Sequence, residues 1–292
     1  MFYNNPIYNF LLERKSSSEI LFIPESLWGG DSDNGKKIVD GFMNFYGESI
    51  LFNKETWKKN KGSKNWNEEL FCFDWTKDVK ALGTNKARIF LRNNIKEWLK
   101  LKNRWDPFSW EIKVLSKRLC FLMSNMSFFY ETADEDFQKK FTKSLNKQAI
   151  HLLNVFKKKK LGSEKIFTAK AIIISALSFR NLSSKLKVGI KLLIDTLRSD
   201  IMEDGMHYLR SPSEHFIFLQ SLIDIKNYLG TSGIVIPKEL NENIYKMASI
   251  LKFFKIATGE LAIFNKFQYV ENHQVNEVLK RSNSKLKTPN SL

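Results

Sequence analysis

The chain has 292 residues, of which 43% are hydrophobic and 27% charged, a composition typical of a soluble globular protein large enough for a sizeable core. No stretch of about 18 apolar residues occurs, which excludes a membrane-spanning helix, and the two cysteines, Cys72 and Cys120, exclude a disulfide framework. The formal net charge of +16 indicates an anionic partner such as nucleic acid, acidic polysaccharide or acidic lipid, although a general abundance of Lys, Asn and Ile explains the charge equally well.

The first 72 residues lack a sustained helical period. A short apolar segment, 7–12, precedes a serine run, residues 35–52 predict short strands or irregular structure, and residues 53–67 form a loop rich in Lys, Asn and Trp that we expect to be exposed. We therefore interpret residues 1–72 as an arm and loops that pack on a larger helical domain.

Apolar residues then recur at helical spacing after Phe73-Asp74-Trp75. The connections between these segments are only a few residues long, which predicts antiparallel helix hairpins and an all-α domain over residues 73–270. Residues 261–265 fit a short strand, and residues 271–292 predict a polar tail or linker. The clearest stripe is Phe137, Phe141, Leu145, Ala149, Leu152 and Phe156.

The chemically densest segment is the loop 204–215, which contains two of the four histidines. Gly205 allows a positive φ after the preceding helix, and Ser211-Pro212 supplies an N-cap and a first-turn proline for the next helix. We predict that this loop lies at the rim of a concave surface, with Arg210 available for a carboxylate or sulfate.

In their order and spacing, several short motifs resemble the N-terminal helical part of the bacterial heparinase II/III family. The resemblance runs from the Asn5-Pro6-Ile7-Tyr8 arm to Asn265. The motifs are Phe73-Asp74-Trp75, Trp105-Asp106-Pro107 with Trp110, Lys117-Arg118-Leu119, Asp204-Gly205-x-His207 with Arg210-Ser211-Pro212, and Leu261-Ala262-Ile263-Phe264-Asn265.

The resemblance implies an incomplete (α/α) toroid followed by a β-sandwich domain, which we expect to be absent from this chain. It also implies β-elimination at a uronic acid, in which a polarised carboxylate, a base and a proton donor are needed. It favours the cell envelope or periplasm, whereas the N-terminus shows no signal peptide, so the compartment is left open.

Two positions depart from the family's lyases. Gly162-Ser163-Glu164-Lys165 stands where they carry an Asn-His pair, and Glu214 stands where they carry a tyrosine. A further histidine, and in some members a divalent metal, comes from the sandwich domain. We therefore expect no cofactor in this part of the protein and no cleavage by it alone.

The resemblance and the loop chemistry together give the candidate site. The predicted catalytic residues are His207, Tyr208 and Arg210, and the predicted substrate-binding residues are Arg118, Asn265, Trp75, Trp105 and His215. Structural roles stay open for most of them: Arg210 in an ion pair with a neighbouring acid, Arg118 in a buried ion pair, the tryptophans in the core and the histidines at helix ends. No His, Cys, Asp or Glu pattern has metal-ligand spacing.

Three functions remain open at this stage. The first is the N-terminal part of a polysaccharide lyase that acts on acidic glycans with its own C-terminal β-sandwich domain as partner. The second is a non-catalytic glycan-binding or envelope scaffold. The third is a basic helical module that binds nucleic acid, and charge alone supports it.

Overall fold

The computed structural model describes residues 2–58, 61–255, 260–265 and 270–282. Within these ranges the chain forms thirteen α-helices and one two-stranded antiparallel sheet, so the all-α class is confirmed. The chain divides into two compact units, residues 1–186 and 187–292. The division predicted from the sequence, 1–72, 73–270 and 271–292, stays a prediction. Among the described residues, no helix has the length and apolar character needed to cross a bilayer.

The first unit contains nine helices in its described residues and the small sheet. The sheet pairs β1 (Phe42–Phe45) with β2 (Glu48–Leu51), with Phe42 opposite Leu51. The helices are α1 (Pro6–Lys15), α2 (Ser32–Val39), α3 (Lys64–Cys72), α4 (Thr76–Ala81), α5 (Asn85–Lys102), α6 (Ile112–Asn125), α7 (Ser127–Tyr130), α8 (Glu135–Val155) and α9 (Lys165–Ser178).

Helix α8 shows how the apolar period positions these elements. Asp134 caps its first turn by accepting the backbone N–H of Phe137. The negative charges of Glu135 and Asp136 stabilise the same end of the helix through its dipole. The predicted stripe is buried along the whole helix, which packs between α6, α9 and α1. The helix is therefore set both by local capping and by burial of one apolar face.

Aromatic side chains fill much of the first unit's core. The ring of Phe73 stacks between Trp57 and Trp75, with centroid distances of 5.4 and 5.5 Å. Phe73 is the C-cap of α3 and adopts φ +62°, which turns the chain so that its ring enters this stack. These aromatic side chains thus form part of the core of the first unit.

The second unit contains α10 (Leu186–Asp200, whose first residue belongs to the first unit), α11 (Pro212–Thr231), α12 (Lys238–Phe253) and α13 (Asn272–Ser282). Ser211 caps α11 by accepting the N–H of Glu214, and Pro212 occupies the first turn, as predicted. Gly205 has φ +84°, which confirms the predicted positive φ, and it packs against Lys246 and Ile250 of α12.

Three predictions about local structure were wrong. Helix does not begin after Phe73-Asp74-Trp75: α1, α2 and α3 precede this motif, and α3 begins at Lys64 because Ser63 caps it and its apolar face is buried. Residues 261–265 form no strand; they contribute one isolated bridge, Lys255 with Leu261. The predicted tail begins instead with α13, whose Val275 and Val278 are buried where it packs on α11 and α12. The rest of the predicted tail, 283–292, lies outside the described residues.

Candidate functional site

The candidate loop in the second unit is built on a tight reversal after α10. Met202 and Met206 pair through a 2.9 Å backbone hydrogen bond, and Ile201 bridges to His207. The N–H of Tyr208 donates to the carbonyl of Asp200 over 2.9 Å. These bonds fix the backbone on both sides of His207, so the loop is an ordered turn rather than an open segment.

The two histidines of the loop lie inside the unit. His207 is 2% exposed and contacts the rings of Tyr208 and Phe218, with centroids 4.7 and 5.0 Å away. His215 is fully buried: its Nδ1 accepts the backbone N–H of His207 over 3.2 Å, and its Nε2 lies 2.8 Å from the carbonyl oxygen of Met247. Only the tautomer with a proton on Nε2 satisfies both bonds.

Burial controls the protonation of His215. Loss of solvent lowers its pKa to about 4, and the bond to Met247 opposes this only in part. The imidazole is therefore neutral near pH 7 and holds α11, α12 and the loop together. This corrects the predicted substrate-binding role of His215, because both ring nitrogens are engaged inside the protein.

Arg210 lies at the surface of the same loop. Its side chain is 46% exposed, and its Nη1 donates a hydrogen bond to Oδ2 of Asp204. The bond lowers the pKa of Asp204, whose other oxygen accepts the N–H of Met206 over 3.0 Å. Arg210 thus has the ion pair that the sequence left open, yet part of its guanidinium faces solvent.

Asn265 lies beside Arg210; their predicted membership of one site stays a prediction. Its Nδ2 donates to the carbonyl oxygen of Arg210 over 3.0 Å, and the two residues have φ +50° and +52°. A left-handed conformation costs about 1 kcal/mol for a residue such as arginine and marks candidate functional positions. Tyr208, 38% exposed, completes a surface that we call the Arg210 surface: Tyr208, Arg210 and Asn265.

Arg118 belongs to the core of the first unit. Its Nε donates to Gln148 Oε1 over 2.7 Å, its Nη1 donates to the carbonyl oxygens of Phe71 and Ser109, and its guanidinium carbon lies 4.9 Å from the ring centroid of Trp98. Burial lowers its pKa. It is fully buried, which corrects the predicted role in binding substrate, and these three acceptors are neutral oxygens rather than an acid.

The two tryptophans of the predicted site also lie in the first unit. Trp75 is 2% exposed and donates its Nε1–H to the carbonyl of Leu70 over 3.1 Å, so it cannot stack on a sugar and the prediction is corrected. Trp105 is half-buried, its ring centroid 6.2 Å from that of Tyr3, and its backbone N–H donates to Asn9. Its predicted sugar-stacking role stays a prediction.

One polar pair was missed at the sequence level. The hydroxyl of Tyr8, on α1, lies 2.7 Å from Nδ1 of His151, on α8, and the Tyr3 and Trp110 rings pack against the imidazole. Burial, with smaller contributions from the charges of Arg118 and Lys159, lowers the pKa of His151 to about 4. No sequence signal joins these residues, because 143 positions separate Tyr8 from His151.

Metal binding finds no support in the described ranges, where no cluster of three or more His, Cys, Asp or Glu side chains could hold an ion. Gly162 and Ser163, at the departure from the family's Asn-His pair, precede α9 without a histidine or asparagine beside them.

Solved structures of heparinases share this fold. The chain matches a structure of heparinase III with a TM-score of 0.67 and 16% identity, covering 94% of this chain and 48% of that one. It matches heparan sulfate lyase HepC from Pedobacter heparinus with a TM-score of 0.64 and 14% identity, covering 98% and 51%. The predicted fold class, an all-α incomplete (α/α) toroid of helix hairpins, is confirmed by this shared fold.

A curated relative is FtsZ-localized protein C of Caulobacter vibrioides, 25% identical over 237 residues, which are 80% of this chain and 41% of that protein. The chain thus spans about half the length of the proteins it matches. The family model described as Heparinase II/III N-terminus matches residues 55–286, most of the chain. The resemblance found in the sequence is therefore confirmed, and the chain belongs to the heparinase II/III family, of which it represents the N-terminal region.

Proposed function

We propose that this chain is the helical N-terminal part of a heparinase-like polysaccharide lyase and binds an acidic, uronate-containing glycan through the Arg210 surface. The observation that carries the proposal is the position of Arg210, held in a left-handed conformation with its side chain 46% exposed and Asn265 bonded to its carbonyl. A guanidinium of this kind binds carboxylate or sulfate through two parallel hydrogen bonds.

The substrate class comes from the family. One neighbour of the same fold is named a heparan sulfate lyase, and heparan sulfate is an acidic glycan. The net charge of +16 supports an anionic ligand as well, because it raises the encounter rate with any polyanion.

Cleavage by this part alone is not expected. Both histidines of the loop are buried, and Glu214 stands at the position of the family's tyrosine. A proton donor and base for β-elimination must therefore come from Tyr208 or from a C-terminal domain, the β-sandwich of the family. A divalent metal, where one is used, would come with that domain.

The test measures binding of the purified chain to heparin, a sulfated uronate polymer, at several salt concentrations. Arg210→Gln should weaken binding about three- to tenfold, as expected for the loss of one charge-assisted contact. Arg198→Gln is the matched control, because Arg198 is also exposed, lies in the same unit and is paired with a carboxylate, that of Glu239. An equal loss of heparin affinity in both variants would mean that net charge alone accounts for the binding, which would contradict the proposal.

A second candidate is a non-catalytic scaffold. The match to FtsZ-localized protein C favours it, since that protein's name describes a location rather than a reaction. The two candidates separate when the full-length protein is incubated with a panel of uronate polymers and the absorbance of the unsaturated product is followed. Product formation supports the lyase, and no product from any polymer supports the scaffold.

Nucleic-acid binding is the weakest of the three functions, because charge alone supports it. A competition experiment between heparin and duplex DNA tests this function. If duplex DNA displaces heparin at equal charge concentration and Arg210→Gln has no effect on either ligand, the nucleic-acid function gains support and the glycan function loses it.

A further inference from the structure

Helix α1 presents an apolar face to solvent. Ile7, Phe10 and Leu11 are 64%, 63% and 45% exposed, and their spacing of three and four residues places them on one side of the helix. The opposite side holds Tyr8 and Leu12, both buried against the first unit. Two apolar faces on one ten-residue helix are more than its packing on the domain requires.

The helix is firmly attached to the body of the first unit. Tyr8 bonds to His151 near the C-terminal end of α8, and Glu13 forms ion pairs with Lys143 and Lys147 one to two turns earlier on α8. Helix α1 therefore runs antiparallel to α8 with its orientation fixed by several polar contacts. The exposed face is a stable feature of the fold and not the result of a loosely docked segment.

Cations lie at both ends of this face. Arg14 and Lys15 are exposed in the last turn of α1. At the other end, Lys158 lies 5.9 Å from the ring centroid of Tyr3, in the turn that precedes α1, and it belongs to the exposed run Lys157–Lys160. Among the described residues, no carboxylate pairs with a lysine of this run, whereas Glu13 is already neutralised by two lysines.

We propose that the α1 face, defined as Ile7, Phe10 and Leu11 with Arg14, Lys15 and Lys157–Lys160, binds the surface of a bilayer that contains anionic lipid. Apolar side chains flanked by lysines and arginines are the combination that such a surface selects, because the former enter the acyl boundary while the latter remain at the phosphates. A glycan or a nucleic acid would use the cations but has no apolar interior for isoleucine, phenylalanine and leucine. At ten residues α1 lies along the surface and is too short to span it.

The test uses the whole chain and vesicles of phosphatidylcholine, with or without phosphatidylglycerol, in a flotation assay. The chain should float with the phosphatidylglycerol vesicles and bind the neutral ones far less. The double substitution Ile7→Ser, Phe10→Ser should lower the partition coefficient about tenfold or more, since two exposed apolar side chains no longer enter the bilayer. Tyr245→Ser, Phe253→Ser on α12 is the matched control, with side chains that are 68% and 80% exposed, and should bind as the unchanged chain does.

A second pair of variants tests the charges. Lys158→Gln, Lys159→Gln, Lys160→Gln should remove most of the preference for phosphatidylglycerol, about tenfold at low salt. Lys139→Gln, Lys140→Gln, which alters exposed lysines already paired with Glu135 and Asp136, should leave that preference unchanged. All these positions are exposed, and circular dichroism of each variant checks that it is folded.

Three results would overturn the proposal. The first is failure of the unchanged chain to float with anionic vesicles. The second is equal flotation of the α1 variant and its α12 control. The third is an α1 variant that still binds vesicles but has lost heparin binding, or has lost self-association measured by sedimentation. Loss of heparin binding would mean that the face binds a glycan, and loss of self-association would mean that it binds a second copy of the chain. The glycan test at Arg210 uses different residues, so either proposal can fail without the other.

Discussion

The backbone N–H of His207 donates to the ring of His215, which in turn bonds to the carbonyl of Met247 on α12. The chemically dense loop is thus tied to the core by its own histidines. Beside them in the loop, Tyr208 and Arg210 are exposed to solvent.

The burial of His215 predicts a dependence of stability on pH. Its pKa is about 4 in the folded chain and about 6.5 when unfolded, so the unfolded state binds the extra proton between these values. Its contribution is fully present above pH 6.5 and is lost as pH falls towards 4. His151 behaves in the same way for the same reason. The free energy of unfolding should therefore be lower at pH 5 than at pH 7 by about 2 kcal/mol for each buried histidine.

Urea unfolding at pH 5 and pH 7 measures this difference. In His215→Gln the difference between the two pH values should shrink, because the glutamine does not titrate, even though the variant is less stable at both. His273→Gln, at an exposed position on α13, serves as the control and should retain the full difference. A difference that is equal in all three proteins would show that carboxylates alone set the pH dependence.

Substitution of Arg118 tests its structural role. Arg118→Lys should lower the free energy of unfolding by about 3 kcal/mol, because an ammonium cannot reach Gln148, Phe71 and Ser109 together and leaves buried acceptors without donors. Denaturant unfolding gives the value. Arg198→Lys should leave the midpoint nearly unchanged, since that side chain is exposed. If Arg118→Lys kept full stability but lost heparin binding, the residue would have a ligand role that the structure does not assign to it.

At Gly35, α2 packs closely against the backbone of α4. A Cβ at this position would lie 2.1 Å from the carbonyl oxygen of Asp78, whose side chain also accepts the N–H of Asp31 and the amide of Asn34. Gly35→Ala should therefore destabilise the protein by about 2 kcal/mol, measured by thermal or urea unfolding. Gly29→Ala is the control, because nothing lies within 4 Å of its added Cβ. Equal stability of the two variants would mean that α2 can shift away from α4 without cost.

The pair between Asp204 and Arg210 predicts a gain of affinity. Asp204→Asn keeps the oxygen that accepts the N–H of Met206 but removes the charge that competes for the guanidinium. Heparin binding should strengthen about two- to tenfold, with the salt dependence retained. Glu239→Gln, which releases Arg198 in the same way, is the control for the added positive charge. An equal gain in both variants would mean that Arg210 has no special part in binding.

The sequence by itself determined the elements whose causes are local. The period of α8, the cap at Ser211, the proline in the first turn of α11 and the positive φ of Gly205 each depend on a few neighbouring residues, and all agree with the structure. The family was also visible in short motifs, because their order and spacing are read along the chain.

Only the tertiary structure decided which polar groups are buried and with what partners. Burial of Trp75, Arg118 and His215 depends on packing against elements distant in sequence, as does the bond between Tyr8 and His151 across 143 positions. Helix α13 was missed for the same reason: its polar sequence contains two valines whose burial needs α11 and α12. A local sequence pattern indicates which side chains of a segment can be buried. Whether they are buried depends on the packing of the other elements of the fold against that segment.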